Sequence, residues 1–536
     1  MDKDNALSAQ EAIDDFRSAL ASGKKPVVVF VHPPKEITNS KVAGSVELFA
    51  QDGSLLHFVQ IKNEGFASEH NYAPLGGFTP IAFSLLATKL KSSNYDSIIL
   101  ELSHSSAALD IILEVKKMLS EAGYCIIWGF TATSPSNFAA MHLVARVKDR
   151  GCLVCFGGSH ATVSHEYAIK NCPQLDFIFV GDAENSFVAI MDLVVKGRGN
   201  LEEIEGITYR KNDGFHFASQ IRVIGQELEF PDFEFLSYDK IPDIWGSERV
   251  FRIQGARGCK YRCSFCSQAI ALQLSALEKL ANYITFLCQK CDLKKINVFF
   301  EDATFTSDRQ RTIDFCKKLS ELKSSQGIYV SWGCQTRADC LDRVLIEKMS
   351  QSGCKYVYIG VEAMNSASLN LVRKSINYVG YASPMEKIEN TLSALRENNV
   401  LVGCSIIVGL PTDNEESFGY TVSRLKHFGV HMIFMESVKL FPQTRLSKSV
   451  SDSQGYQDDQ IVSKYYAKIE NGSLNPEDKN CYLMREASSV ENLYEIAQSV
   501  LLPEYEKVST GLYVKSATPQ ILAYKNKMSY LAAKTV

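Results

Sequence analysis

Three cysteines within eight residues, Cys259, Cys263 and Cys266 in "FRIQGARGCKYRCSFCSQ", constrain this chain more than any other stretch. A C-x-x-x-C-x-x-C run calls for a short loop that turns three sulfurs towards one object, so the fold must carry such a loop at the edge of a core. The opening "MDKDNALSAQEAIDDFRSAL" lacks the apolar centre of a secretory signal and reads as the start of a soluble helix. The expected location is cytoplasmic, where the 15 cysteines stay reduced and a close triplet serves as ligands, not as part of a disulfide framework. No stretch reaches the roughly 20 apolar residues that span a bilayer, so no membrane partner is expected. Lys plus Arg total 57 against 61 Asp plus Glu, a net charge of −4, which gives no general electrostatic case for a nucleic acid partner.

At 536 residues the chain exceeds one ordinary core, and two α/β units are visible in it. The first, residues 1–200, begins with the strand-like "PVVVFVHPP" and continues through Ser97 to Leu102, "YCIIWGF", "CLVCFGG" and "LDFIFVG", with helical patterns between. Continuous apolar strands alternating with helices predict a Rossmann-like parallel sheet covered on both faces. Ligand crevices in such sheets lie beyond the C-terminal strand ends. That rule sets Thr131, Thr133 and Ser134, then Gly157, Gly158 and His160, then Gly181 and Glu184 on one rim, although glycines there can also simply end strands. The second unit, residues 248–450, repeats strand and helix from "KINVFFEDATF" to "HMIFMESVKLFP" and predicts a partial βα barrel with its chemistry at the C-terminal strand rim. Residues 201–247 read as a linker with a small hairpin. Residues 451–536 read as a mainly helical region that caps the barrel or closes over a substrate.

Three thiolates can hold three irons of a cubane cluster and leave the fourth iron open to a ligand, which gives the missing fourth cysteine a purpose. Gly255 and Gly258 permit a tight loop, and Arg257, Lys260 and Arg262 bring positive charge to an anionic group. Zinc with a distant fourth ligand stays open as an alternative. Cys288 and Cys291 lie on one helix face and are either a second metal pair or buried thiols. Cys152, Cys155, Cys334, Cys340, Cys354 and Cys404 sit in apolar segments and read as packing.

With Phe265 at the aromatic place, C-x-x-x-C-x-aromatic-C resembles the signature of the radical S-adenosylmethionine (SAM) superfamily. The resemblance implies that Cys259, Cys263 and Cys266 bind a [4Fe–4S] cluster. SAM would chelate the open iron and be cleaved to a 5′-deoxyadenosyl radical that abstracts hydrogen from substrate. "FFEDATFT" resembles a second-strand element that places Glu301 and Asp302 at the rim, and Asp302 can instead cap the following helix. "WGCQTRAD" resembles the R-x-D element, so Arg337 either pairs with the SAM carboxylate or makes a structural ion pair with Asp339 or Glu301. "YIGVEAMN" resembles the G-x-E element, with Glu362 either accepting from SAM amino or ribose groups or standing as a solvated rim acid. "IIVGLPTDNEES" resembles the G-x-P element, with Gly409 and Pro411 shaping the adenine or ribose wall. Phe265 lies near the adenine in that family, or packs a core.

The first unit is similar to the cobalamin-binding domain that precedes the radical SAM domain in one large subfamily, through the loop after "GF", the "GGSHAT" turn and "DFIFVGDAENSF". The two resemblances cover about residues 26 to 445. Asp182 departs from the usual Gly-Glu pair, and there is no D-x-H-x-x-G pattern, which leaves the cobalt ligand unassigned. His160 is expected as a hydrogen-bonding loop residue near the corrin. A degenerate domain without cobalamin stays open. The pairing implies a cobalamin-dependent C-methyltransferase acting on a small metabolite, natural-product intermediate or peptide through methylcobalamin. The alternative is rearrangement, ring contraction, cyclisation or dehydration without methyl transfer. The family's need for low-potential electrons implies a flavodoxin or ferredoxin as partner, and the residues leave the oligomeric state open.

Overall fold

The computed structural model describes residues 7–34, 37, 45–50, 52–62, 80–102, 105, 107–131, 133, 136–218, 228–236, 250–267, 271–374, 378–438, 441, 444–454, 487–501, 504–509 and 512–515. Ser134 and much of the C-terminal region lie outside them. No helix among the described residues is long and apolar enough to cross a membrane.

The first sheet contains β1 (Lys25–His32), β2 (Ser45–Phe49), β3 (Leu55–Lys62), β4 (Ser97–Glu101), β5 (Tyr124–Thr131), β6 (Leu153–Gly157), β7 (Phe177–Phe179), β8 (Ile207–Lys211) and β9 (Gly214–His216), in the order β2-β3-β4-β1-β5-β6-β7-β8-β9. Strands β3 to β7 run parallel in that order, as a doubly wound sheet requires. In β1 the run of valines serves two cores at once. Val27, Val29 and Val31 pack on one face and Val28 and Phe30 on the other, so side-chain alternation without a polar face buries the strand on both sides. The central order β4-β1-β5-β6-β7 reverses direction at β1, the flavodoxin-like variant of the doubly wound plan. Its ligand crevice lies where the strands on either side of the reversal end.

The hairpin read as part of a linker belongs to this sheet. β8 pairs antiparallel with β7, and β9 with β8, so the first unit runs past residue 200 to His216. The polar "YRKNDGFH" suits an edge with one exposed side, which is why its sequence resembles a linker hairpin. Farther along the same stretch, Phe235 joins the core of the first unit and its neighbour Leu236 the core of the second, so the connection is packed against both.

The second sheet places β10 (Phe251–Ile253), β13 (Lys295–Phe300), β14 (Tyr329–Thr336), β15 (Cys354–Glu362), β16 (Leu401–Val408) and β17 (Met432–Ser437) side by side, all parallel. The short pair β11 (Ala256–Arg257) and β12 (Gln273–Leu274) brackets the cysteine loop. Helices cross over between successive parallel strands, most of them started by a side-chain cap. Asp308, for example, accepts from the Arg311 amide at the start of helix Arg309–Gln326, and Gly327 ends that helix at φ 65°. The C-terminal region contributes helix Ala487–Leu501, whose Leu493, Ala497 and Leu501 enter the barrel core. It also adds β18 (Tyr505–Ser509) and β19 (Leu512–Lys515), which extend β17 antiparallel. The region is therefore not helical alone. Tyr456, Tyr465, Tyr466 and Tyr482 lie outside the described residues.

Candidate active site

The cysteine loop leaves β10 at the C-terminal rim of the barrel and is pinned at several points. The Gly255 amide donates to Asp302 Oδ1 at 2.7 Å, and the Gly255 carbonyl accepts from the Ser275 amide and hydroxyl at 3.0 and 2.8 Å. A side chain at Gly255 would meet Asp302 Oδ2 at 3.3 Å, so the approach of loop and carboxylate is tight. Asp302 is buried, and burial pushes its carboxyl up to about 7 against the pull of the Ala256 and Gly255 amides. Asp302 does not cap the next helix, whose cap is Asp308; it holds the start of the loop. Glu301 beside it pairs with Arg252 and lines the interdomain cavity.

Further along, Ser264 donates through its hydroxyl to the Leu371 carbonyl at 2.6 Å and through its amide to Val372, while its own carbonyl accepts from the Leu446 amide at 2.8 Å. Cys259 and Cys263 are half-buried and Cys266 is exposed. Thr304 Oγ1 lies 3.6 Å from Cys259 Sγ, and Arg337 donates through Nη1 to Cys263 Sγ at 3.1 Å. No three His, Cys, Asp or Glu side chains among the described residues converge as around one metal ion. A cubane takes one thiolate per iron, so three sulfurs held apart on one loop, with a guanidinium donating to one of them, suit that group. Cys288 is buried in the barrel core and Cys291 packs against it, as packing thiols do. Cys340 differs from the packing cysteines, for its sulfur lies 2.9 Å from the Tyr261 hydroxyl and burial pushes its thiol up to about 11.

The strand ends bring the other sequence-marked residues to the same place. Arg337 is buried and holds both oxygens of Asp339 at 2.8 Å, so the structural ion pair is present together with the contact to Cys263. Its guanidinium covers the Tyr261 ring at 4.3 Å. Glu362 is buried at the end of β15, where the register shifts, with a left-handed φ of 68° that a glutamate adopts only under constraint. It pairs with Lys374 at 2.6 Å, and the same ammonium donates to the Gly360 carbonyl at 2.8 Å. Glu362 is thus no solvated rim acid. Lys374 carries no motif that would mark it in the sequence. It and Arg337 both oppose the upward push that burial gives the Cys263 thiol. Phe265 packs against the small cluster that contains Leu410, the residue between Gly409 (φ 83°) and Pro411.

Facing this rim is that of the first sheet. A cavity of about 370 Å³ lies between them. Thr131, Gly157, Gly158, Gly181 and Glu184 line it from the first unit, and Gln254, Arg257, Gly258 and Glu301 from the second. Gly158, at φ 100°, starts helix Ser159–Asn171 and leaves backbone bare at the wall. Thr133 is set back, its hydroxyl 2.7 Å from the Ser136 hydroxyl at the start of the next helix. His160 corrects the sequence reading: it is fully buried, outside the cavity lining, and burial pulls its imidazole down to about 4. "GGSHAT" reads as a loop, but the helix begins at Ser159 and turns His160 inward. Glu184 lines the cavity with its carboxylate bound to Arg257, together with Asp182.

Residues 253–425 match the family model of the radical SAM superfamily. An uncharacterized methyltransferase of Pyrococcus horikoshii is 25% identical over 375 residues, 68% of this chain and 77% of that protein. The anaerobic magnesium-protoporphyrin IX monomethyl ester cyclase of Rubrivivax gelatinosus is 25% identical over 389 residues, 70% of this chain and 67% of its own. Among solved structures, the radical S-adenosylmethionine methyltransferase TsrM of Kitasatospora setae, with cobalamin and a [4Fe–4S] cluster bound, superposes with a TM-score of 0.59 at 15% identity, covering 89% of each chain. At that identity the likeness is one of fold.

Proposed function

We propose that this chain, an enzyme whose residues 253–425 are a radical SAM domain, binds cobalamin against the first sheet and transfers a methyl group to an unactivated carbon of a small metabolite, natural-product intermediate or peptide. The observation that carries the reading is the cavity in which the glycine rim of a doubly wound sheet faces the cysteine loop, so that two cofactors would meet one substrate. When bound, the cluster and SAM supply the 5′-deoxyadenosyl radical and cobalamin supplies the methyl group. The chain's part is to hold them. Cys259, Cys263 and Cys266 are the cluster ligands, and Arg337 donates to one of their sulfurs. Glu362 and Lys374 offer a carboxylate and an ammonium to the charged end of SAM, and Phe265 with Gly409 and Pro411 forms the apolar wall beside it. Thr131, Gly157, Gly158 and Gly181 leave backbone and a hydroxyl for the corrin edge. The similarity to the TsrM structure, which holds cobalamin, supports the placement. Reducing equivalents are assigned to a flavodoxin or ferredoxin, and the location to the cytoplasm.

The test is an anaerobic incubation with cobalamin, reductant, methyl-labelled SAM and a candidate substrate library. Methyl transfer yields labelled product together with S-adenosylhomocysteine and 5′-deoxyadenosine, because one SAM gives the methyl group and another the radical. The similarity to the Rubrivivax cyclase favours a second reading, ring closure or rearrangement. Turnover with 5′-deoxyadenosine and unlabelled product would select it.

A further inference from the structure

The cysteine loop is tied to its own barrel by Asp302, Ser275 and the Leu371 carbonyl, and to the other domain by Arg257. Arg257 reaches from β11 across the cavity wall. Its Nη1 lies 3.0 Å from Asp182 Oδ1 and its Nη2 2.7 Å from Glu184 Oε1. Both acids belong to the first domain: Asp182 to the turn after β7, Glu184 to the first residue of helix Glu184–Met191. The three side chains retain 16%, 7% and 23% of their exposure, so the triad is largely removed from water. Buried charge of this kind adds little net stability over apolar packing, and its best-attested use is to select one registry. The registry at stake is specific. Arg257 is followed by Gly258 at φ 80° and then by Cys259, so wherever the guanidinium is held the first cluster ligand comes two residues later. Glu184, Arg257 and Gly258 also line the interdomain cavity, so the clamp and the space it spans share a wall.

We propose that Arg257 is a positioning residue that sets the separation between the cluster and a corrin bound at the first-domain rim, by locking the cysteine loop to Asp182 and Glu184. The corrin half of this statement rests on the cobalamin reading of the first domain. The anchors at Asp302, Ser275 and the Leu371 carbonyl lie in the second domain and move with it. Radical transfer between two cofactors and one substrate depends steeply on placement, and a shift of about 1 Å can cost on the order of a hundredfold in rate. A loop freed from Asp182 and Glu184 keeps its cluster but loses its fixed distance to the first domain.

The test uses the full chain, reconstituted with iron and sulfide, supplied with hydroxocobalamin and poised so that both cobalt and cluster are paramagnetic. Pulsed electron paramagnetic resonance then reads the distance between the two spins. Wild type gives one narrow distribution. Arg257→Gln gives a broadened or displaced one with iron and corrin contents unchanged, and Arg257→Lys, which keeps the charge, returns it towards wild type. A wild-type distribution in Arg257→Gln overturns the proposal. Should Arg257→Gln lose its iron, Glu184→Gln takes its place, since it removes one partner and leaves Asp182 bound. If wild type retains no corrin, the cobalamin reading falls separately, and hydrogen exchange of the iron-loaded protein decides the clamp. Exchange faster by about tenfold in both 181–187 and 255–259 of Arg257→Gln, with the rest of the barrel unaltered, supports it, and unaltered exchange in those segments overturns it.

Discussion

Arg337 donates to the sulfur of Cys263 at 3.1 Å while Asp339 takes two of its other donors at 2.8 Å and Tyr261 lies under its plane. The side chain is therefore aimed by one acid and one ring at Cys263, a proposed cluster ligand. A lysine keeps the charge but has no planar fork with which to hold Asp339 and reach the sulfur together. Arg337→Lys is expected to retain about four irons per chain with an altered spectrum of the reduced cluster, because hydrogen bonds to sulfur tune such clusters. An unaltered spectrum would assign Arg337 to its ion pair with Asp339 alone.

Replacing Cys259, Cys263 and Cys266 together with alanine should remove about four irons per chain. The paired control, Cys288→Ala with Cys291→Ala, should keep them, since those sulfurs belong to the barrel core and its margin. Iron and sulfide assays on anaerobically reconstituted protein separate the two, and loss of iron in the control would move the cluster to the helix.

The parts of the site legible in sequence are those whose partners lie at fixed local spacing. The cysteine triplet is one, and Arg337 and Glu362 at strand ends are others, because a parallel barrel delivers successive strand ends to one rim. The less legible parts depend on contacts across long stretches of chain. Lys374 reaches Glu362 from beyond the following helix, and Arg257 finds its acids more than 70 residues upstream, with no periodicity to announce either. Asp182 is visible as a departure from the usual pair, yet its reason, a guanidinium from the other domain, is tertiary. The hairpin β8–β9 is visible as a hairpin, but which edge it joins is decided by the open side of β7. His160 is misplaced by a single boundary, since a helix that starts one residue before it turns the ring into the core.

Glu362→Gln keeps the size of the side chain and removes its charge. It is expected to weaken SAM binding by about ten- to a hundredfold, the loss of one charged hydrogen bond of roughly 1.5 to 3 kcal/mol, with iron content retained. Equilibrium binding of SAM to the reconstituted protein is the measurement. The left-handed backbone at this position, φ 68°, persists in the glutamine variant, so a change in affinity reports on the carboxylate and not on the strand. Wild-type affinity would leave Glu362 as the partner of Lys374 only.

Burial lifts the Asp302 carboxyl from 3.8 to about 7, so the folded protein binds its proton more tightly than the unfolded chain does. Between those two values the folded state holds more protons, and the contribution of this group to stability falls as pH rises, levelling off above the folded value. Asp302→Asn has no such proton and can still accept from the Gly255 amide. Denaturant unfolding from pH 5 to 8.5 should show the stability of the variant gaining on wild type up to about pH 7 and holding a constant difference above it. A difference independent of pH throughout would mean that the carboxyl titrates as an exposed one does.

Gly158 offers the sharpest test of the corrin site because two effects of a side chain there can be separated. The residue has φ 100° at the start of helix Ser159–Asn171 and lines the interdomain cavity. Any side chain meets the same backbone strain, on the order of 1–3 kcal/mol, whereas only a large one intrudes on the space beside the wall. Gly158→Ala should therefore lower the unfolding temperature and still retain hydroxocobalamin after desalting. Gly158→Leu should lower it by a similar amount and retain little. Iron content should be unaffected in both, since the cysteine loop is anchored in the other domain by Asp302 and the Leu371 carbonyl. Equal corrin retention by the two variants, with wild type also retaining it, would place the macrocycle away from this rim, and the glycine would then serve only the turn that starts the helix.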